Sequence, residues 1–223
     1  MASLATDNPL APLRAAVSEL ALLTDGPSLA LYSHDVLSQG APPLAVLRPS
    51  SVAELAAGIG AAARAGIAIV PRGGGMSYTG GYLYSGGPHI LIDTGALTQI
   101  IEINETDLTA LVEVGCTWDA LNTALAAKGL RALAWGTLSG IRATIGGGMS
   151  QNGTFWGARG GTVVDGAISF DVVLADGSIV STGSDFFRPY GPDLTGLFAA
   201  DCGAFGVKAR VRLKLVKAAR AHA

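Results

Sequence analysis

Charge is scarce in this sequence. Asp, Glu, Lys and Arg make up 14% of its 223 residues, against roughly 25% in ordinary soluble domains. Fifteen basic residues stand against seventeen acidic ones, for a net charge of −2. A protein that neutralises a phosphate backbone needs a basic face, so a nucleic-acid partner is excluded. Cysteine is nearly absent: Cys116 and Cys202 can make at most one disulfide, which excludes a disulfide scaffold. With His34, His89 and His222 as the only histidines, no metal-ligand spacing arises and no metal is expected. Long apolar runs are missing too. The most apolar long stretch, Val52 to Val70, carries Glu54, Arg64 and several glycines, whereas a spanning helix needs about 20 apolar residues. No membrane span is expected. The opening MASLATDNPLAPLR has no basic region followed by an apolar core, so no signal peptide is expected and the default compartment is cytoplasmic.

What is present is apolar residues and glycine. Hydrophobic residues make up 49% and mean hydropathy is +0.43, enough for a sizeable core. Glycine supplies 31 residues, roughly twice the usual share. Leu10, Leu13, Val17, Leu20 and Ala21 recur at helical spacing and predict an amphipathic opening helix. Leu44 to Arg48 reads as a strand stopped by Pro49, and Ser51 with Glu54 forms a capping box for a helix ending at Gly66. Ile67–Val70, His89–Asp93 and Ala110–Val114 read as strands, and Thr117 caps a helix that carries Trp118, Leu121 and Leu125. Asp176-Gly177 joins two strands between Gly166 and Thr182. Asp193 caps a short helix. From Val207 to Leu215 apolar and basic residues alternate, predicting an edge strand with Lys208, Arg210, Arg212 and Lys214 solvated. The order is α+β with a mixed sheet. A division falls near residue 95.

Two glycine segments carry the chemistry. Pro71-Arg-Gly-Gly-Gly-Met-Ser-Tyr-Thr-Gly-Gly81 follows a strand, and three consecutive glycines can turn successive N–H groups to one side as an anion nest. Ser77 and Thr79 add hydroxyl donors. Thr144-Ile-Gly-Gly-Gly-Met-Ser-Gln-Asn-Gly153 repeats the pattern. One such cluster is ordinarily a tight turn. Two on one ligand suit a pyrophosphate. The Rossmann fingerprint, the P-loop and the G-x-S-x-G nucleophile elbow are all absent.

Five motifs in order resemble the FAD-binding domain of the vanillyl-alcohol oxidase / p-cresol methylhydroxylase family. They are Arg72-Gly-Gly-Gly-Met-Ser with Thr79-Gly-Gly81, Thr144-Ile-Gly-Gly-Gly148, Val173-Leu-Ala-Asp-Gly177, Gly191-Pro-Asp-Leu-Thr-Gly-Leu-Phe198 and Gly203-Ala-Phe-Gly-Val207. The stretch from Leu44 to Val70 matches that family's opening lobe. The resemblance implies one FAD-binding domain of two α/β subdomains, at about 30–95 and 96–217. It implies that Pro71, Arg72, Gly73, Gly74, Gly75, Met76, Ser77, Gly80 and Gly81 wrap the pyrophosphate. Gly136, Thr137, Ser139, Gly140, Thr144, Ile145, Gly146, Gly147, Ser150, Asn152 and Gly153 would line the pyrophosphate and flavin side. Gly203, Gly206 and Val207 would lie near the adenosine. Where some relatives tether the flavin through histidine, this chain has Met76, whose thioether cannot serve, and Cys202 falls at the adenosine end, so FAD is expected to be non-covalent.

The resemblance further implies a flavin-dependent oxidoreductase taking a small-molecule 2-hydroxy acid or related alcohol. The C-terminal substrate domain of such proteins is expected to lie outside this chain or on a partner subunit, so no catalytic residue is assigned here. The alternative is a non-catalytic flavin-binding subunit acting only with a partner chain. Trp118 reads as core, while Trp135 and Trp156 flank the second segment as candidate ring contacts. Arg72 reads as a brace acting through loop carbonyls. His34 and His89 read as ordinary core or surface groups.

Overall fold

The computed structural model describes residues 8–134, 139–153, 161–185 and 192–219. Helix α1 (Ala11–Ala16) is shorter than the apolar spacing predicts: the backbone becomes extended at Val17 and Ser18, and Leu20 is left in solvent. The cause lies 36 residues away, where Glu54 Oε1 accepts from Ser18 N at 2.9 Å and Ser18 Oγ at 2.6 Å. These bonds hold the chain off the helical path. Strand β1 (Leu22–Leu23) and helix α2 (Gly26–Tyr32) follow, the latter capped by Asp25.

Strand β2 (Ala45–Leu47), helix α3 (Val52–Arg64), strand β3 (Ala68–Arg72) and strand β4 (His89–Asp93) then build the first sheet in the order β1-β2-β4-β3. β2, β4 and β3 run parallel, so both faces need cover. Leu13 of α1 and Leu55 and Ile59 of α3 pack with Leu47, Ile90 and Ile92. On the other face Tyr32 and Leu29 meet Val46 and Leu91.

The cap of α3 departs from a reciprocal box. Ser51 Oγ accepts from Glu54 N at 3.1 Å as expected. The Glu54 carboxylate, however, takes Ser50 N at 2.7 Å, Ser50 Oγ at 2.9 Å and the two Ser18 donors. Desolvation pulls its pKa upward, but these four donors outweigh it and bring the carboxyl from 4.5 to about 2. A depressed carboxylate contributes stability that is complete above its unfolded pKa and is lost as pH falls towards its folded one. Glu54→Gln is therefore expected to destabilise the chain at pH 7 by on the order of 1–2 kcal/mol, a figure reduced for solvent screening. Urea denaturation at pH 7, 4.5 and 2.5 checks it: the deficit shrinks between pH 4.5 and 2.5.

The second sheet is antiparallel. Strands β5 (Ile100–Asn104) and β6 (Thr109–Glu113) precede helix α4 (Trp118–Ala126), strand β7 (Leu130–Ala132) and helix α5 (Ile145–Gln151). Strands β8 (Ala167–Val173) and β9 (Ile179–Ser181) form the expected hairpin, with Gly177 at φ +88° and Asp176 Oδ1 accepting from Ser178 N at 2.8 Å. Helix α6 (Leu194–Phe198), capped by Asp193, leads to strand β10 (Val207–Lys217). The order is β5-β6-β10-β8-β9, with β7 paired to the far end of β10. Trp118, Leu121, Leu125, Ile145, Met149, Phe170, Val211 and Leu213 form the core beneath it. Val173, Val207 and Ala209 belong instead to the apolar cluster of the first sheet, so the two sheets share a buried contact.

Two expectations are corrected here. The second glycine segment is a helix, because Thr144 caps it by accepting from Gly147 N at 3.2 Å and none of Gly146, Gly147 and Gly148 takes positive φ. And β10 is a central strand, flanked by β6 on one side and β8 on the other. Three of its four basic side chains are ion-paired, Arg212 with Glu102 and Asp185, Arg210 with Asp171 and Lys208 with Asp201, while Lys214 is exposed as expected. A register shift against β8 between Lys208 and Arg210 interrupts the alternation that the sequence displays.

Candidate functional site

Strand β3 delivers the first glycine segment to the carboxyl edge of the parallel sheet. Of its three consecutive glycines only Gly75 takes positive φ, at +68°. The expectation of a three-residue nest is therefore replaced by a different requirement, close approach. A Cβ on Gly73 would overlap Thr144 Oγ1, and one on Gly74 would overlap the carbonyl oxygen of Arg142. Beyond the turn, Ser77 Oγ and Thr79 Oγ1 lie 2.8 Å apart, and Tyr82 Oη donates to Gly75 O at 3.0 Å.

Helix α5 is the opposite wall, and its glycines serve packing on the core side. A Cβ on Gly146 would stand 2.6 Å from Val114 Cβ, and one on Gly148 would stand 2.9 Å from the indole nitrogen of Trp118. Trp118 is accordingly core, at 1% exposure. Asn152, left-handed at φ 48°, ends the helix, and Gly153 follows it.

Between these walls lies a cleft of about 390 Å³, within the usual range for small-molecule sites. A third wall is the turn from Ala200 to Gly206 and the start of β10. Among the described lining residues two are cationic, Arg72 and Lys208, and none is Asp or Glu. The rest is glycine backbone, hydroxyls and a few apolar or amide side chains. The cleft suits an anion.

Arg72 is held by aromatic faces, not by loop carbonyls as expected. Its guanidinium carbon lies 4.7 Å from the Tyr32 ring centroid and 5.3 Å from that of Tyr82, and its Nε has no hydrogen-bond partner. Tyr32 Oη in turn donates to Asp93, which also accepts from Arg48 Nε at 3.1 Å. Burial, reinforced by the Asp93 carboxylate, pushes the Tyr32 hydroxyl up to about 12. It stays a proton donor across the physiological range.

The cleft gathers most of the expected residues. From the first segment it is lined by Pro71, Arg72, Gly73, Gly74, Gly75, Met76, Ser77 and Gly81, and from the second by Ser139, Thr144, Gly146, Gly147, Ser150, Asn152 and Gly153. Gly203, Gly206 and Val207 join them. Three expected residues do not line it. Gly80 turns at φ +70° and donates to Asp35, Gly140 O accepts from Asp119 N, and Ile145 is fully buried in the core. Gly136, Thr137, Trp135 and Trp156 lie outside the described residues.

Sequence reasoning missed Tyr82, Val114, Gln151, Cys202 and Lys208, all of which line the cleft. Gln151 sits inside the second glycine segment and Cys202 directly before Gly203, while Lys208, immediately after the Gly203-Ala-Phe-Gly-Val207 motif, reads in the sequence as part of a solvated face. Cys202 is exposed, with its thiol 3.4 Å from Gln151 Nε2, whereas Cys116 is buried and pushed up to about 11 by desolvation. His89 is buried against the edge of Tyr84, with Nδ1 3.2 Å from Gly87 O, the ordinary core role expected of it. No described helix is long and apolar enough to cross a membrane.

Residues 43–183 match the family of the FAD binding domain. The glycolate oxidase subunit GlcD of Bacillus subtilis (strain 168) is 33% identical over 189 residues, covering 83% of this chain and 40% of that protein. The xylooligosaccharide oxidase of Thermothelomyces thermophilus is 30% identical over 174 residues, covering 77% of this chain and 33% of that protein. Among solved structures, p-cresol methylhydroxylase with substrate bound superposes with a TM-score of 0.75 at 19% identity, over 96% of this chain and 44% of that one. The fold is thus the one the motifs implied. The chain spans well under half the length of each of these relatives.

Proposed function

The chain belongs to the FAD binding domain family, and from that membership we propose that its cleft holds FAD non-covalently for the oxidation of a 2-hydroxy acid or related alcohol. The observation that carries this reading is the cleft itself: two glycine-built walls in backbone contact, lined by two cations and no carboxylate. A pyrophosphate brings negative charge that Arg72 and backbone N–H groups can meet, while the Lys208 ammonium is already paired with Asp201. FAD, held by these residues, would supply the two-electron acceptor for such an oxidation.

The chain's own residues do the holding. Gly73, Gly74 and Gly75 bring backbone within reach of the ligand, and Ser77, Thr79 and Thr144 offer hydroxyls beside it. Tyr82 fixes the turn by donating to Gly75 O. Met76 lines the cleft with a thioether that forms no bond to a flavin ring. The base that takes the substrate's hydroxyl proton belongs, in this reading, to a substrate domain or partner chain. The 2-hydroxy acid follows the name of the Bacillus relative, and the wider alcohol class that of the xylooligosaccharide oxidase.

The test is direct. Purified protein mixed with excess FAD and passed through gel filtration is expected to elute yellow at one flavin per chain. Acid precipitation is expected to release the colour into the supernatant. Colourless protein overturns FAD binding, and colour kept in the pellet overturns the non-covalent attachment. A second reading, a flavin-binding subunit active only with a partner chain, is favoured by one fact: the Bacillus relative is itself named as a subunit. A hydroxy acid assayed with a dye acceptor, with and without candidate partner chains, separates the two.

A further inference from the structure

The turn from Ala200 to Phe205 is a strained piece of backbone. Ala200 and Cys202 take positive φ at 56° and 53°, and Gly203 follows at 81°. Two non-glycine residues in the left-handed region persist only where the surroundings over-determine them. Here the surroundings are the last turn of α5. Ala200 N donates to Met149 O at 2.9 Å and Cys202 N to Ser150 O at 3.1 Å. The turn also reaches the first glycine segment, since a Cβ on Gly203 would overlap the Pro71 ring. It therefore touches both walls of the cleft.

One buried ion pair ties these pieces together. The side chains of Lys208 and Asp201 are 2% and 1% exposed. Asp201 spends one oxygen on Gly203 N at 2.9 Å and the other on Phe205 N at 3.4 Å, while also receiving the Lys208 ammonium. The same ammonium donates to Ser150 Oγ on α5 at 3.0 Å and lies 5.8 Å from the centroid of the Phe170 ring. Strand, turn and helix thus meet at one nitrogen.

We propose that Lys208 is a positioning residue for the cofactor cleft, its ammonium locking the strained Ala200–Phe205 turn to α5 so that the cleft's third wall stands in place before the ligand arrives. This rests on the FAD reading for its ligand, but the lock itself is a property of the free protein. Burial drives the Lys208 pKa down, and the Asp201 carboxylate opposes that. Removing either partner alone leaves a charge stranded in a dry site, whereas removing both charges does not.

The test uses the full chain in three forms: wild type, Lys208→Met, and Lys208→Met with Asp201→Asn. Asparagine keeps an acceptor for Gly203 N but carries no charge. Lys208→Met is expected to weaken FAD binding about tenfold or more, and the double variant, freed of the stranded charge but still without the ammonium's tie to Ser150, to remain about threefold weaker than wild type. In FAD-free protein, modification of Cys202 by an aromatic disulfide is expected to speed up about fivefold in Lys208→Met and to slow again in the double variant, with buried Cys116 unreactive throughout. Unchanged affinity in Lys208→Met overturns the proposal. So does a double variant no better than the single one, which would make Lys208 a direct ligand contact. Reaction of Cys116 alongside Cys202 also overturns it, since the loss would then be global. If Lys208→Met does not fold, Ser150→Ala slackens the same joint without stranding a charge and is expected to weaken binding about threefold. An unaltered affinity and Cys202 rate in that variant overturn the lock. Wild-type protein that binds no FAD defeats the function reading alone, because the Cys202 rates still test the turn.

Discussion

Adding one methyl group at residue 74 is expected to lower FAD affinity at least about a hundredfold, equivalent to roughly 2.7 kcal/mol. The Cβ of Gly74→Ala falls on the Arg142 carbonyl oxygen, with Arg142 C and Ala143 Cα next nearest. These are backbone atoms, so no rotamer change relieves the clash. The wall carrying Gly73 and Gly74 must instead separate from the 139–144 stretch, and that separation widens the cleft where its two sides are in contact. Overpacking at a closed site costs about 1–3 kcal/mol in stability, sometimes more. Gly80→Ala is the matched control. It has open space around it but φ +70°, so it loses about 1 kcal/mol of stability to backbone strain and leaves affinity within about threefold, since Gly80 does not line the cleft. Calorimetric FAD titrations of both variants check this. Affinity within threefold of wild type for Gly74→Ala would remove close approach as the reason for that glycine.

Asp93→Ala is expected to have the largest effect on stability of any single substitution on the first sheet's polar residues, about 3 kcal/mol. Asp93 is 5% exposed at the end of β4. Its Oδ2 takes the buried Tyr32 hydroxyl and Arg48 Nε, and its Oδ1 takes Gly95 N at 2.9 Å. Alanine leaves the Tyr32 hydroxyl buried without its acceptor and the turn after β4 without its cap. Arg48, 45% exposed, turns to solvent and contributes little. Tyr32→Phe removes only the first of these bonds, so about 1 kcal/mol is expected from it. Urea unfolding with an unchanged m-value measures both. Equal losses in the two variants would mean that the hydroxyl bond, not the network, carries the effect. Because Tyr32 also lies against Arg72, both variants are further expected to weaken FAD binding.

Those elements whose determinants are local were legible in the sequence. The Ser51 and Thr117 caps, the stop at Gly66 and the Asp176-Gly177 turn all depend on neighbours within a few residues, and β4 announces itself as an unbroken apolar run, Ile90-Leu-Ile92. Three of the five ordered motifs supply residues that line the cleft, whereas Val173–Gly177 and Gly191–Phe198 supply none among the described residues. Failures arose wherever a distant segment decided the outcome. Leu20 fits a helical stripe, yet Glu54 captures Ser18 and ends the helix early. Gly-Gly-Gly at 146–148 reads as a loop by propensity, but Thr144 caps it and close packing on Val114 and Trp118 rewards a helix without side chains. The alternation from Val207 to Leu215 hides the register shift between Lys208 and Arg210 and says nothing of what covers Lys208. That required knowing that α5 and the Asp201 turn lie over Lys208. Strand β7 went unseen because it is three residues long and owes its pairing to β10, far along the chain; β5 pairs with its neighbour β6, but its Ile-Ile-Glu-Ile-Asn pattern gives no clean alternation.

The central place of β10 has a consequence for how the chain comes off the ribosome. β6 and β8 are separated in the second sheet by a strand that is translated after both. Until residues 207–217 emerge, each presents an open edge with nothing to close it, and β7 also waits for the same strand. The first sheet, finished by residue 93, has no such debt. Synthesis at roughly 5–20 residues per second leaves that interval open for several seconds. High contact order and exposed edges are the conditions under which nascent chains aggregate. The half of the molecule that completes the cofactor cleft is therefore the half most dependent on chaperone cover while it is being made.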